Sequence, residues 1–381
     1  MKKILVVHTK YQKLGGEDVA VDNEIELLKE YYEVKELFYS NKIKNYLFDV
    51  ISLISSNNKK SVNKLLKTID EFKPDYAYVH NTWFMASTGI FKALEDSGTE
   101  IILKLHNFRY SCTRSFLANK HFKDSPTCNA CGLNRKSMGF INKYYENSFF
   151  KSLLVANYGK KYFDIIQQQK LKILVLTNFH KEYLSKIITN RNIYVFPNFI
   201  ELQKNVIKEN REKYIVYAGR VSQEKGVEEL IKTFKKIKYK DLKFKIIGDG
   251  PLLEFLKNNY KEESIQFLGY IPNKEVLKII KSSEAVVSAT KLYEGQPTLL
   301  CEASSMGVPS IFPDSGGISE FFPKNYKLSF RQFDYEHLLE KLESIKDTDL
   351  VKEIGKENRE YIKEYLGKEK LIEIFSYIVD E

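Results

Sequence analysis

Cysteine, tryptophan and proline are scarce here, at 4, 1 and 9 positions in 381 residues. Four cysteines cannot staple a chain of this length. A disulfide scaffold is therefore excluded, and with no export signal a reducing cytosol is expected. No apolar run approaches the ~18 residues of a membrane helix. The opening Met1-Lys2-Lys3 followed by Ile4-Leu5-Val6-Val7 imitates a signal peptide but falls short of its ~7–15 apolar residues. It reads instead as a first buried strand. Acidic residues are under-represented in one half only. Residues 1–200 hold 30 Lys+Arg against 19 Asp+Glu, whereas residues 201–381 hold 30 against 31. The net charge of +10 thus lies in the N-terminal half. That half is the one suited to an anionic partner, although Lys-rich usage without function gives the same bias.

What is present is enough for two domains, each with its own core. Short apolar runs alternate with longer amphipathic ones, the pattern of parallel α/β architecture. Strands are expected at Ile4–Val7, Ala77–His80, Ile101–Leu105 and Ile173–Leu176, then at Ile215–Ala218, Lys243–Ile247, Ala285–Val287 and Ser310–Phe312. Helices such as Val19–Glu30 and Val227–Lys236 fill the gaps. The expected division is a first domain at 1–198, a linker at 199–212, a second domain at 213–353 and a C-terminal helix at 354–381.

The most informative stretch is Tyr293-Glu294-Gly295-Gln296-Pro297-Thr298-Leu299-Leu300-Cys301-Glu302. Gly295 and Pro297 break any preceding element, and proline is tolerated in a helix's first turn. The helix running from Thr298 is ended by Gly307. Glu294 then lies in the loop ahead of the helix and Glu302 in its second turn, with unpaired helix N–H groups between them. Two carboxylates flanking an anion-attracting helix end suit a ligand with phosphates in the middle and hydroxyls at both ends, such as a nucleotide sugar. A solvated loop glutamate and an ordinary helix glutamate are the plain alternative.

Further candidates close predicted strands. Leu14-Gly15-Gly16-Glu17 follows the first strand, and glycine there allows close backbone approach to a ligand. His80-Asn81 and His106-Asn107 end two more strands. Tyr217-Ala218-Gly219-Arg220 leads to Glu224-Lys225-Gly226, where Arg220 offers a planar fork and Lys225 a point charge, a pair suited to a diphosphate. Gly248-Asp249-Gly250-Pro251 invites a dinucleotide reading, but Leu253 stands where the third glycine is needed, which disfavours a dehydrogenase. Cys128 and Cys131 have metal-ligand spacing, and Cys112 with His121 or His106 would complete a tetrahedral zinc site. Buried thiols or a reversible disulfide remain open. Arg109, Arg114 and Arg135 are suited to an acceptor phosphate. Basic and apolar residues mixed through Asn41–Lys67 fit either docking on anionic lipid or a solvated helix face.

The Glu294 to Glu302 stretch resembles the E-x7-E signature of family-4 glycosyltransferases, in a variant with Gly-Gln-Pro-Thr after the first glutamate. Gly219-Arg220 with Glu224-Lys225-Gly226, Gly248-Asp249-Gly250-Pro251 and the Gly15-Gly16 loop are similar to that family as well. Phe199 after Pro197-Asn198, and Asn107 after His106, depart from its usual pattern. The resemblance implies the GT-B fold: two Rossmann-like domains facing across a cleft, with the C-terminal helix crossing back to the first. It implies a retaining transfer of a sugar from a nucleoside-diphosphate sugar of UDP or GDP type, without a cofactor or catalytic metal. Arg220 and Lys225 would meet the diphosphate, Glu302 the ribose, Glu294 the sugar hydroxyls, and His106 the reacting sugar. Gly15, Gly16, Gly219, Gly248, Gly250, Gly295, Gln296, Pro297, Thr298 and Leu299 would complete the donor site. His80, Asn81, Arg109 and Arg114 would stand on the acceptor side. The implied acceptor is a glycan or a lipid-diphosphate-linked sugar, handled at the inner face of the cytoplasmic membrane, with no nucleic-acid partner. A nucleotide-sugar epimerase of the same fold and a non-catalytic binding protein are the rival readings.

Overall fold

The computed structural model describes residues 1–11, 15–41, 55–112, 141, 143, 145, 147–202 and 211–381. They form two compact units, Met1–Phe199 with Lys368–Glu381, and Ile200–Gly367. In the first unit six parallel strands run in the order β2-β1-β3-β4-β5-β6. They are β1 (Lys3–Lys10), β2 (Glu33–Ser40), β3 (Tyr76–Val79), β4 (Glu100–Leu105), β5 (Lys172–Val175) and β6 (Ile193–Val195). Ile4 to Val7 and Ile102 to Leu103 are fully buried, as expected of strands covered on both faces, where apolar runs replace alternation. Helices Gly16–Lys29, Lys59–Phe72, Gly89–Asp96, Phe149–Ile166 and Asn178–Ser185 surround the sheet. Their starts are set by local chemistry. Asn58, for example, accepts from the backbone N–H groups of Lys60 and Ser61, satisfying donors that the helix cannot.

The second unit repeats the plan with β7 (Tyr214–Ala218), β8 (Lys243–Ile247), β9 (Ile265–Gly269), β10 (Ala285–Val287), β11 (Ser310–Asp314) and β12 (Ser329–Arg331). Its order is β12-β11-β10-β7-β8-β9, all parallel. Alternate residues of these strands feed two apolar layers. Ile215, Tyr217 and Phe244 pack with Val227 and Ile231, while Val216, Val286 and Phe312 pack with Leu300 and Ala303. In each sheet the chain changes direction once, between β1 and β3 and between β7 and β10. In open α/β sheets ligands bind beyond the carboxyl ends of strands at such a point.

Two expectations need correction. The single C-terminal helix expected at 354–381 is two helices, Thr348–Tyr365 and Lys368–Asp380, parted at Leu366-Gly367. Glycine is a weak helix former, and the two pieces bury different faces. Ile354 and Ile362 enter the cores of the second unit, whereas Leu371, Phe375 and Ile378 pack with Ile4, Val6 and Tyr78 in the first. Only residues from Lys368 onward belong to the first unit, and Thr348–Tyr365 belongs to the second. Four strands, β2, β6, β9 and β12, were not anticipated. β2 and β9 are edge strands with half-exposed, charged or polar positions, and β6 and β12 are three residues long.

Candidate active site

The second unit gathers its chemistry at the carboxyl ends of β7 and β10. Beyond β7, the loop carrying Gly219 and Arg220 is tied to the loop beyond β8. Gly219 N–H donates to Ile247 O at 3.0 Å and Val221 N–H to Asp249 O at 2.9 Å. The approach is close enough to demand glycine at Gly248: its φ is +130°, and a Cβ there would lie 1.9 Å from Gly219 O. The Tyr217 hydroxyl donates to Arg220 O at 2.7 Å, fixing the backbone while leaving the Arg220 residue exposed.

Lys225 and Glu294 were expected to meet different parts of one ligand. In this structure they meet each other, with Lys225 Nζ 2.5 Å from Glu294 Oε1 and both side chains partly exposed. Thr290 Oγ1 donates to the same carboxylate oxygen at 2.9 Å. The Glu294 backbone is held by Gly317 N–H, which donates to its carbonyl at 2.9 Å. At Gly316, φ +64°, a Cβ would come within 2.5 Å of that carbonyl, so side chains are excluded there. Pro297 precedes the helix Thr298–Ser305, which places Glu302 in its second turn as expected. Burial pushes the Glu302 carboxyl up to about 7, opposed by a hydrogen bond from Asn273. Gly295 and Gln296 are buried, while Thr298 and Leu299 are partly exposed. The triplet Asp347-Thr348-Asp349 has the look of a metal motif but is a helix cap. The Asp347 side chain accepts from Asp349 N–H and Leu350 N–H, each at 3.1 Å.

The first unit has its own cluster at the ends of β1, β3 and β4. The backbone N–H of Asn81 donates to His8 Nδ1 at 3.4 Å, so His8 carries its proton on Nε2 and donates it to Asp18 Oδ1 at 2.8 Å. Asp18 also accepts from Gly15 N–H at 3.0 Å, which holds the Gly15-Gly16 turn at the start of the helix. His80 Nδ1 lies 2.9 Å from His106 Nε2, with the rings stacked. His80 Nε2 and His106 Nδ1 are buried without a hydrogen-bond partner. Burial, reinforced by neighbouring His and Lys groups, holds both imidazoles well below their usual range, so the pair is neutral. Behind them the ammonium of Lys104 is paired with Glu24, which also accepts from the Tyr78 hydroxyl at 2.8 Å. A cavity of about 20 Å³, room for one water, is lined by Glu17, His80, Trp83, His106, Arg109 and Tyr162 among others. The Arg109 guanidinium lies 5.5 Å from the Tyr11 ring centre and 5.8 Å from that of Trp83. Glu17 accepts from the Tyr11 hydroxyl at 2.7 Å and from Asn107 at 3.4 Å.

Among the expected site residues, Leu14, Arg114, His121, Cys128, Cys131 and Arg135 lie outside the described residues, as do positions 42–54. Cys112 is buried. Among the described residues no group of three or more His, Cys, Asp or Glu side chains is placed to hold a metal, and no helix is long and apolar enough to cross a membrane. Several neighbours of the expected residues carry no sequence signal of their own. Thr290, Asn273, Lys104 and Glu24 matter through contacts that only the folded chain makes. Glu17 adjoins the Gly15-Gly16 turn, the one pointer to it in the sequence.

Residues 198–366 match the family described as glycosyl transferases group 1, a span that nearly coincides with the second unit. An uncharacterized glycosyltransferase of Methanocaldococcus jannaschii is 27% identical over 293 residues, covering 74% of this chain and 64% of that protein. The amylovoran biosynthesis glycosyltransferase AmsD of Erwinia amylovora is 29% identical over 151 residues, 37% of this chain and 42% of its own. The chain thus spans less than two thirds of the length of these two relatives. The Anabaena protein Alr3699/HepE, solved in complex with UDP and glucose, superposes with a TM-score of 0.67 over 100% of both chains at 13% identity. The fold is GT-B, two Rossmann-like domains.

Proposed function

We propose that the protein transfers a sugar, with retention, from a nucleoside-diphosphate sugar of UDP or GDP type to a hydroxyl of a glycan or lipid-diphosphate-linked acceptor. The observation that carries this reading is the Lys225–Glu294 pair at the reversal point of the second sheet, with Arg220 exposed on the loop beyond β7 and Glu302 in the helix that follows Glu294. As the bond from the sugar's anomeric carbon to the diphosphate breaks, its electron pair leaves with the phosphate oxygen. Arg220, Lys225 and helix N–H groups would stabilise that charge. Glu302 would accept from the ribose hydroxyls and Glu294 from the sugar's. His106, held neutral against His80, would help position the reacting sugar, and no resident cofactor is required. Retention, and the assignment of each residue, rest on the resemblance to family-4 enzymes. The UDP and glucose bound by the Anabaena protein support the donor class, and the similar capsular polysaccharide biosynthesis glycosyltransferase CapM of Staphylococcus aureus supports a surface-polysaccharide setting. Exposed Lys59, Lys60, Lys64 and Lys67 on one helix suit contact with the anionic inner face of the cytoplasmic membrane.

A thermal-shift panel of nucleoside diphosphates tests the donor. A binder at 100 times its dissociation constant stabilises by about 2.7 kcal/mol, enough to identify the base. No shift with any nucleoside diphosphate or its sugar conjugates would overturn the reading. Incubation with donor alone separates the rivals: an epimerase yields an isomer, a transferase at most slow hydrolysis, and a binding protein no product.

A further inference from the structure

We infer that Thr290 is a positioning residue for Glu294, holding its carboxylate in place after a diphosphate has drawn Lys225 away. The inference rests on the donor reading above and adds to it a residue that the signature does not include. Thr290 lies just beyond β10 and is 2% exposed. Its hydroxyl oxygen accepts from Leu292 N–H at 3.3 Å, which leaves the single hydroxyl proton for Glu294 Oε1 at 2.9 Å. The segment itself is clamped from a third strand. Gln332, which follows β12, donates through Nε2 to Thr290 O at 3.2 Å and to Leu292 O at 3.5 Å.

The same Oε1 also receives the Lys225 ammonium. A cation can serve either that carboxylate or a phosphate at full strength, and a dianionic diphosphate is the stronger partner. When Lys225 moves, the only remaining hydrogen bond described for the Glu294 side chain is the one from Thr290. That bond occupies Oε1 and leaves Oε2 to accept from sugar hydroxyls. Without it the carboxylate keeps a fixed backbone but loses its fixed direction, and orientation is what a hydroxyl-reading group contributes. Thr290 therefore affects the sugar end of the donor and not the nucleotide end.

Thr290→Val keeps the shape and removes the donor; Thr290→Ser keeps the donor. Calorimetric titration with a nucleoside diphosphate and with its sugar conjugate, alongside turnover, gives the test. For Thr290→Val we expect unchanged affinity for the free nucleoside diphosphate, about tenfold weaker binding of the sugar conjugate and at least tenfold slower transfer, with Thr290→Ser restoring both. The unchanged diphosphate affinity also reports an intact fold. If the valine variant does not fold, Thr290→Ala, which also removes the donor, makes the same comparison. Wild-type sugar binding and turnover in a folded Val or Ala variant would overturn the role of Thr290 alone. Equal loss of diphosphate and conjugate affinity would show a merely structural residue. A wild-type protein that binds neither ligand would overturn the donor reading, and this inference with it.

Discussion

Removing the Glu294 carboxylate should have opposite effects on two measurements. With Lys225 Nζ 2.5 Å from Glu294 Oε1, a diphosphate must compete with that carboxylate for the ammonium. The two side chains are 31% and 25% exposed, so the pair is screened and its worth is that of a surface pair, roughly 0.5–1 kcal/mol. Glu294→Ala frees Lys225 and should tighten free nucleoside diphosphate by about two- to fivefold, since 1.4 kcal/mol is tenfold. Turnover should move the other way. A charge-assisted hydrogen bond to the sugar is worth about 1.5–3 kcal/mol, so transfer should slow by about 10- to 150-fold. Glu302→Ala should instead weaken the nucleoside diphosphate itself by about tenfold or more, because the ribose is present in both ligands. Arg220→Ala should impair both measurements. Titration calorimetry with the preferred nucleoside diphosphate, and turnover with its sugar conjugate, give the two readouts. Equal loss of nucleotide affinity in both glutamate variants would refute the division of labour. No effect of either substitution would reduce the nine-residue signature to a helix start.

The Glu302 carboxyl, raised to about 7 by burial, should make nucleotide affinity climb as pH rises through 7, since only the ionised form accepts two hydroxyls. Its folded pKa lies above the unfolded value, so this group stabilises the fold below about pH 4.5 and loses that contribution as pH rises through 7. Glu302→Gln should flatten both trends in calorimetry and in chemical denaturation between pH 5 and 8. Nitrogen NMR of the His80 and His106 rings should show two neutral imidazoles at pH 6, because burial holds both well below the ordinary range. A protonated ring at that pH would contradict the geometry. Sedimentation with anionic vesicles should show salt-sensitive binding that falls when Lys59, Lys60, Lys64 and Lys67 are changed to glutamine, at about 1 kcal/mol per lysine. Salt-independent binding, or none, would remove the membrane contact.

Much of this protein was legible from its one-dimensional pattern. Buried parallel strands are continuous apolar runs, so β1, β4, β7 and β8 announce themselves, and Pro297 with Gly307 bounds the helix that carries Glu302. Edge strands carry no such run. β2, with Glu33, Lys35 and Glu36 on a half-wet ladder, has the composition of a helix or loop and is a strand only because β1 lies beside it. The C-terminal helix shows the same division. Residues 348–380 have helical periodicity throughout, but the break at Leu366-Gly367 follows from two faces seeking two different cores. For the candidate site, local motifs nominate Arg220, Lys225, Glu294 and Glu302, because a ligand-binding loop needs particular residue types at particular offsets. Which charges pair was decided by tertiary structure. Lys225 reaches Glu294 across 69 positions, Lys104 finds Glu24 across 80, and His106 finds His80 across 26. Spacing along the chain is silent on such meetings, because the order of strands in the sheet sets which carboxyl ends are neighbours.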